Sequence, residues 1–190
     1  SGKREDVLGF DTGPGMSLID ETCRIHLDMD MDHNGIISRR GTINHKLLNA
    51  LMSHEFVNKH PPKSTGRHEF GKEMVYNIIE KYPRIKTEDL LRTFSLFTAK
   101  AIAINLRSFL NFNSLETHLI VSGGGIHHQV LFADLREQIN IKNIKTADNY
   151  GIKSQMKESL LMAVLGTARI QNMTSNIPSV SGANCQTVLG

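Results

Sequence analysis

This chain of 190 residues has few cysteines, no long apolar run and no large excess of charge of one sign. The two cysteines, Cys23 and Cys185, do not lie in a CxxC pair, which excludes a disulfide scaffold and predicts two buried thiols in a reducing, cytoplasmic protein. Apolar runs such as 160–166 are far shorter than the ~18 residues of a membrane helix. The polar, acidic segment Ser1 to Asp6 predicts no signal peptide.

The charge is nearly balanced, with 22 basic and 19 acidic residues and a net charge of +3. Acidic and basic residues alternate along the chain and form no basic stripe, so we expect neither a nucleic acid nor a membrane as partner. The length and a hydrophobic content of 39% allow one domain with a real core.

Short apolar runs that end at glycines alternate with segments of helical periodicity, a pattern typical of an α/β fold. Strands are predicted at 7–10, 119–121 and 144–147, and helices at 18–27, about 44–58, 74–82, 87–110, 130–139 and 154–170. Thr87 and Ser154 are the predicted N-caps of two of these helices. The apolar face of the last helix is predicted to lie in the core, and the tail 176–183 to be a loop.

Asp11-Thr12-Gly13-Pro14-Gly15 follows the first predicted strand. A carboxylate at a strand end, followed by backbone N–H groups of Thr12 and Gly13, suits a general base beside a phosphate. A β-turn in which the aspartate caps its own backbone is the alternative interpretation.

Ser122-Gly123-Gly124-Gly125 joins a predicted strand to a predicted helix and could hold a nucleotide on its backbone. It does not match GxGxxG, and a flexible connection is the alternative. A third candidate is Lys63-Ser64-Thr65-Gly66-Arg67, whose hydroxyl and cationic groups suit a polar or anionic ligand. A solvated surface loop is the alternative there.

Asp30 to Ser38 imitates the first nine positions of an EF-hand loop, but position twelve is Gly41, and the bidentate glutamate is missing. Calcium binding is therefore a weak hypothesis, and no metal site is predicted. Glu158 lies near the start of the last helix, where an acidic residue often only complements the helix dipole.

The order of these motifs resembles the carboxy-terminal half of anhydro-N-acetylmuramic acid kinases, in the sugar kinase, heat-shock ATPase and actin superfamily. The resemblance covers about residues 7–190. It rests on the strings FDTGPG, PKSTGR and NIPSVSGA, together with the glycines 123–125, Gly151-Ile152 and Lys157-Glu158.

This resemblance implies a ribonuclease-H-like, actin-like ATPase lobe with a mixed sheet flanked by helices. It implies ATP and Mg²⁺, a 1,6-anhydro amino sugar as substrate, and a reaction that hydrolyses the anhydro bond and phosphorylates O6. Asp11 matches the catalytic aspartate, Thr12 and Gly13 the phosphate loop, and Gly123, Gly124 and Gly125 the adenosine loop. The predicted substrate contacts are Glu158, Lys63, Ser64, Thr65 and Arg67.

The SGTSxDGxD phosphate loop of the family's amino-terminal lobe does not occur in the sequence. We therefore expect residues 1–190 to be one lobe of a two-lobe kinase, inactive alone, with a homodimer as a further possibility. Departures from the family pattern occur at Met16, His128, Lys153 and Gln155. They leave open a catalytically degenerate binding or interaction domain of the same fold.

Overall fold

The computed structural model describes residues 6–110 and 116–189. Their helices are α1 Ser17–Leu27, α2 His45–Met52, α3 Glu55–Asn58, α4 Lys72–Lys81, α5 Thr87–Phe109, α6 Gln129–Ile139, α7 Lys157–Ile170 and α8 Pro178–Ser181. Two strands, β1 His118–Val121 and β2 Asn143–Thr146, complete the regular structure, with short 3₁₀ turns between the elements. The described chain is thus mostly helical, with a small sheet.

The sheet consists of β1 and β2, which run parallel with Leu119 opposite Ile144. Parallel neighbours need a crossover, and α6 supplies it. The expected α/β class is therefore confirmed at the level of a mixed helical and strand fold. The larger mixed sheet is not seen in the described residues.

Helix α5 is the centre of the molecule. Its apolar residues recur every three or four positions, so Leu90, Phe94 and Phe97 form one buried face, packed in the same core as Leu18 of α1 and Leu47 of α2. A second, smaller core joins the other half of α5 to α6, and consists of buried residues and their neighbours around Ala99, Ala103, Leu131, Leu135 and Ile139.

An ion pair also holds α5 to α6. Arg92 donates from its two terminal guanidinium nitrogens to Asp134, at 2.6 and 2.8 Å, and the Ser95 hydroxyl donates to the same carboxylate at 2.9 Å. Asp134 is buried, with only 4% of its surface exposed. These hydrogen bonds offset the cost of burying its charge.

Three predicted helix boundaries are wrong. The helix expected over about 44–58 is interrupted at Ser53 and His54, where the extended backbone of His54 starts α3 and its Nδ1 accepts the N–H of Phe56. Thr87 is the first residue of α5 and not its cap, because its hydroxyl pairs with His26. Ser154 donates to Asp148 and does not cap α7, which begins three residues later.

The strand predicted at 7–10 is also absent: these residues form no ladder. Within the segment, the carbonyl of Val7 accepts the Ser179 hydroxyl at 2.7 Å. Just after it, Asp11 donates its N–H to the carbonyl of Lys63 at 3.1 Å. A strand needs a partner that pairs along its length, and the described chain offers only these isolated bonds.

Helix α7 was expected to bury an apolar face, and this prediction is wrong for the described chain. None of its residues is buried, and Leu160, Leu161, Met162 and Val164 are 48–68% exposed. The tail predicted as a loop contains the short helix α8, and Cys23 is buried as predicted whereas Cys185 is exposed. No helix within residues 6–110 and 116–189 has the length and apolar character needed to cross a bilayer.

Candidate active site

The first and third sequence motifs fold against each other. The Oδ2 atom of Asp11 accepts the Ser64 hydroxyl at 2.9 Å and the backbone N–H of Thr65 at 2.8 Å. The N–H of Asp11 in turn donates to the carbonyl of Lys63. Two hydrogen bonds therefore orient the carboxylate, and the third fixes the backbone of Asp11. The alternative in which Asp11 only caps its own turn is not what the hydrogen bonds show.

A cavity of about 280 Å³ opens beside this carboxylate. Asp11, Gly13, Gly15, Thr65 and Arg67 are among the residues that line it. Both hydrogen bonds to the Asp11 carboxylate use Oδ2, so Oδ1 has no hydrogen-bond partner among the described residues. Arg67 likewise forms no ion pair within the part of the chain described. The cavity thus combines a positioned carboxylate with an available cation.

Lys63 lies behind the site and not in the cavity. It is 6% exposed, and its Nζ donates to the carbonyls of Phe56 and Val57 at 3.0 and 3.3 Å. The rings of Phe56 and Phe109 lie 4.9 and 5.5 Å from the same nitrogen. Burial lowers the pKa of this ammonium group, with Lys59 contributing in the same direction. The structure therefore brings Ser64, Thr65 and Arg67 to Asp11, but not the Lys63 side chain.

The glycine loop, Ser122 to Gly125, borders a second cavity of about 240 Å³. Gly15 lies between this cavity and the first one. Gly15 lines both cavities, and its backbone is in the left-handed region at φ +56°. The second cavity is mainly apolar, with walls that include Met16, Ile102, Ile126 and Phe132 beside Gly125. Gly15 therefore lies in the wall of two neighbouring cavities, of which the second is the more apolar.

A family model described as anhydro-N-acetylmuramic acid kinase matches residues 3–190. The chain belongs to this family. It is 38% identical over 186 residues to the anhydro-N-acetylmuramic acid kinase of Clostridioides difficile (strain 630). It is 34% identical over 188 residues to the proteins of the same name from Bacillus cereus (strain 03BB102) and Bacillus thuringiensis (strain Al Hakam). Each match covers 98% of this chain and 49% of the relative, so the chain spans about half the length of these relatives.

Two site residues of this kinase-family chain were missed from the sequence. On α5, Thr98 donates to the carbonyl of Gly15 at 3.1 Å, and the buried amide of Asn105 donates to the carbonyls of Thr12 at 3.5 Å and Ala101 at 2.8 Å. Together they hold the Asp11 to Gly15 loop on the helix. The sequence does carry a signal for them, because they are polar residues seven positions apart and therefore lie on one face of α5.

Four other predicted site residues line neither cavity: Thr12, Gly123, Gly124 and Glu158. Glu158 lies exposed in the first turn of α7. Among the departures from the family pattern, Met16 forms part of the wall of the apolar cavity, whereas the side chain of Gln155 lies outside the described structure.

Metal ligands are sparse in the described chain, which contains no group of three or more His, Cys, Asp and Glu residues able to hold an ion. In the segment that imitates an EF-hand, Asp32 accepts hydrogen bonds from Ser38 and from the backbone of Ile37. Its carboxylate is thus used internally, and the calcium hypothesis has no support.

Proposed function

We propose that this chain is the carboxy-terminal half of an ATP-dependent kinase that hydrolyses the 1,6-anhydro bond of anhydro-N-acetylmuramic acid and phosphorylates O6. The observation that supports this most is the carboxylate of Asp11, held by Ser64 and Thr65 at a cavity that Arg67 also lines. A fixed carboxylate can take a proton from water, and a free guanidinium can bind an anionic group of the substrate. Family membership supplies the substrate class.

In the proposed reaction, Asp11 accepts one proton from a water molecule. The water oxygen bonds to C1 of the sugar while the bond from C1 to O6 breaks, and O6 then takes the γ-phosphoryl group of ATP, releasing ADP. Asp11 returns its proton to solvent. Ser64 and Thr65 orient the carboxylate, and we assign Lys63 the same supporting role through its backbone, because its ammonium group is buried elsewhere.

The nucleotide is proposed to occupy the second cavity, with Gly123, Gly124 and Gly125 on the adenosine side and Thr12 and Gly13 toward the phosphates. The position of Gly15 in the walls of both cavities supports this, because it makes the sugar and nucleotide sites neighbours. An apolar cavity also suits a planar base.

Magnesium fits this arrangement only together with the nucleotide. Mg²⁺ is commonly held by one or two carboxylates and by substrate phosphates. Asp11 is the carboxylate that lines the first cavity, where the sugar is proposed to bind. When bound, the ion would neutralise charge on the transferring phosphoryl group. A cytoplasmic location is part of the proposal, because ATP is available there.

We further propose that the second half of the kinase forms another lobe, and that both lobes are ribonuclease-H-like. Helix α7 supports this because its exposed apolar residues point to several sides, and a helix apolar all round is normally buried. Glu158 would reach the sugar once α7 is packed between the lobes, and the isolated chain is expected to be inactive.

The proposal can be tested with the full-length protein, ATP and anhydro-N-acetylmuramic acid in water enriched in ¹⁸O. The expected product is a 6-phosphate with one ¹⁸O atom, located at C1 and not in the phosphate. Label in the phosphate, or ATP hydrolysis without a sugar phosphate, would contradict the mechanism.

A catalytically degenerate binding domain is the second candidate. It is favoured by Met16, which departs from the family pattern and adds a thioether to the wall of the proposed nucleotide cavity. Calorimetry with ATP and with the sugar separates the two candidates, since binding of both without turnover would support the degenerate domain.

A further inference from the structure

The segment 28–43, which contains the EF-hand-like residues Asp30 to Ser38, packs against the chain just after the glycine loop. Asp32 and Ser38 are buried there. The Ser38 hydroxyl donates to Oδ2 of Asp32 at 2.6 Å, and the backbone N–H groups of Ile37 and Ser38 donate to the same carboxylate at 2.9 Å. Burial alone would raise the pKa of Asp32, but these bonds and one from His128 hold it below its usual range.

His128 connects this carboxylate to helix α6. Its Nδ1 accepts the backbone N–H of Leu131 at 3.1 Å, so that nitrogen carries no proton and the ring caps the helix. The ring proton of the neutral form is then on Nε2, which lies 3.3 Å from Oδ2 of Asp32 and 3.3 Å from the hydroxyl of Ser38. The His128 ring is 2% exposed, and it thus contacts both the start of helix α6 and the carboxylate of Asp32.

Two further contacts join the same parts of the chain. Gly35 has φ +69°, and a Cβ atom there would lie 3.0 Å from the ring of His128 and 3.0 Å from the side chain of Val130. Arg39 donates to the side-chain oxygen of Gln129 at 2.6 Å. The segment therefore holds residues 128–130 at several points.

The backbone transmits this hold to the glycine loop. The N–H of His128 donates to the carbonyl of Gly125 at 3.2 Å. A Cβ atom added at Gly123 or Gly124 would meet nothing within 4 Å, so neighbouring side chains do not fix these two residues. The hydrogen bond from His128 therefore constrains the end of the loop, together with the bond from the N–H of Ile126 to the carbonyl of Gly123 at 3.3 Å.

We propose that Asp32 and His128 are positioning residues that set the conformation of Gly123 to Gly125 for nucleotide binding. This inference rests on the proposed function of that loop. Neither side chain touches the nucleotide in the proposal. Their effect is expected on affinity for ATP and not on the sugar site, which lies on the other side of Gly15.

The test uses the full-length protein with Asp32→Asn, His128→Asn and both changes together. Asparagine at 128 keeps an acceptor for the helix N–H but is too short to reach Asp32 as well. Asp30→Asn is the matched control, because its side chain is 91% exposed in the same segment. We expect each single variant to raise the KM for ATP about 2- to 30-fold, with kcat and the KM for the sugar within about twofold. The double variant should be no worse than the weaker-binding single variant.

Equal losses in both KM values and kcat, additive effects in the double variant, or unchanged ATP affinity would overturn the proposal. Hydrogen exchange of residues 122–131 is measured without nucleotide, so it separates this inference from the proposed function. Faster exchange there in Asp32→Asn supports positioning even if the wild-type protein fails to bind ATP. If Asp32→Asn does not fold, Arg39→Ala removes an exposed hydrogen bond between the same two parts of the chain, the one from Arg39 to Gln129. Unchanged hydrogen exchange of residues 122–131 in Arg39→Ala would then count against the proposal.

Discussion

The hydrogen bond between Ser64 and Asp11 gives the proposed mechanism a quantitative test. Ser64→Ala removes the hydroxyl that donates to Oδ2 at 2.9 Å but leaves the backbone N–H of Thr65 on the same oxygen at 2.8 Å. The carboxylate should therefore remain in place with a wider range of orientations. We expect slower proton transfer from water and little change in fold.

The size of the effect follows from the environment of the bond. A hydrogen bond to a charged group is worth about 1.5–3 kcal/mol, but Ser64 and Asp11 are both exposed, and water can replace the lost donor. We therefore expect a loss of about 1–1.5 kcal/mol in transition-state stabilisation, which lowers kcat about 5- to 13-fold. Ser64→Thr keeps a hydroxyl and should restore most of the rate.

The assay is ADP release by the full-length protein at saturating ATP and sugar, with melting temperature as the check on folding. Ser53→Ala is the control, since its exposed hydroxyl donates only to the carbonyl of Asn49. A kcat for Ser64→Ala within about twofold of wild type, with Asp11→Asn inactive, would refute the orienting role of Ser64.

Three further predictions concern stability. Leu161→Glu should lower the free energy of unfolding of the full-length protein by about 3 kcal/mol but that of the isolated chain by less than about 0.5 kcal/mol, and equal effects would contradict coverage of α7 by the second lobe. Asp134→Asn should cost about 2–3 kcal/mol in chemical denaturation because it leaves the guanidinium of Arg92 without its charged partner, and a neutral result would show that the pair contributes nothing. Because the pKa of Asp32 is lowered in the folded protein, its stabilising contribution is present above its unfolded pKa of about 3.9 and lost as the pH falls. The difference in melting temperature between wild type and Asp32→Asn should therefore be largest above about pH 5 and narrow below about pH 4, and a constant difference would contradict this.

Local periodicity was enough to predict the helices that bury one face. Helix α5 is an example, because Leu90, Phe94 and Phe97 are spaced for a core that lies within this chain. The same reasoning failed for α7, whose apolar residues have no cover among the described residues, and for the strand at 7–10, which lacks a partner. Both failures come from long-range contacts, which periodicity does not report.

The site was predictable in its residue types but not in its arrangement. Asp11 and Ser64 were each identified in separate motifs, yet nothing local indicated that the chain would bring together two residues 53 positions apart. Lys63 looked equivalent to Arg67 in sequence, and only the fold distinguishes the buried ammonium group from the guanidinium in the cavity. Cys185 was misjudged for the same reason, since a composition rule carries no information on the surroundings of one thiol.

The most direct test of the central claim is the rate of sugar phosphorylation by full-length Asp11→Asn, compared with wild type and with Asp30→Asn. A positioned general base contributes about 10²- to 10⁴-fold, so we predict a loss of kcat of that size with ATP binding retained. Asp30→Asn should match wild type. Undiminished turnover in Asp11→Asn would contradict the assignment of Asp11 as the catalytic base and, with it, the proposed chemistry of the site.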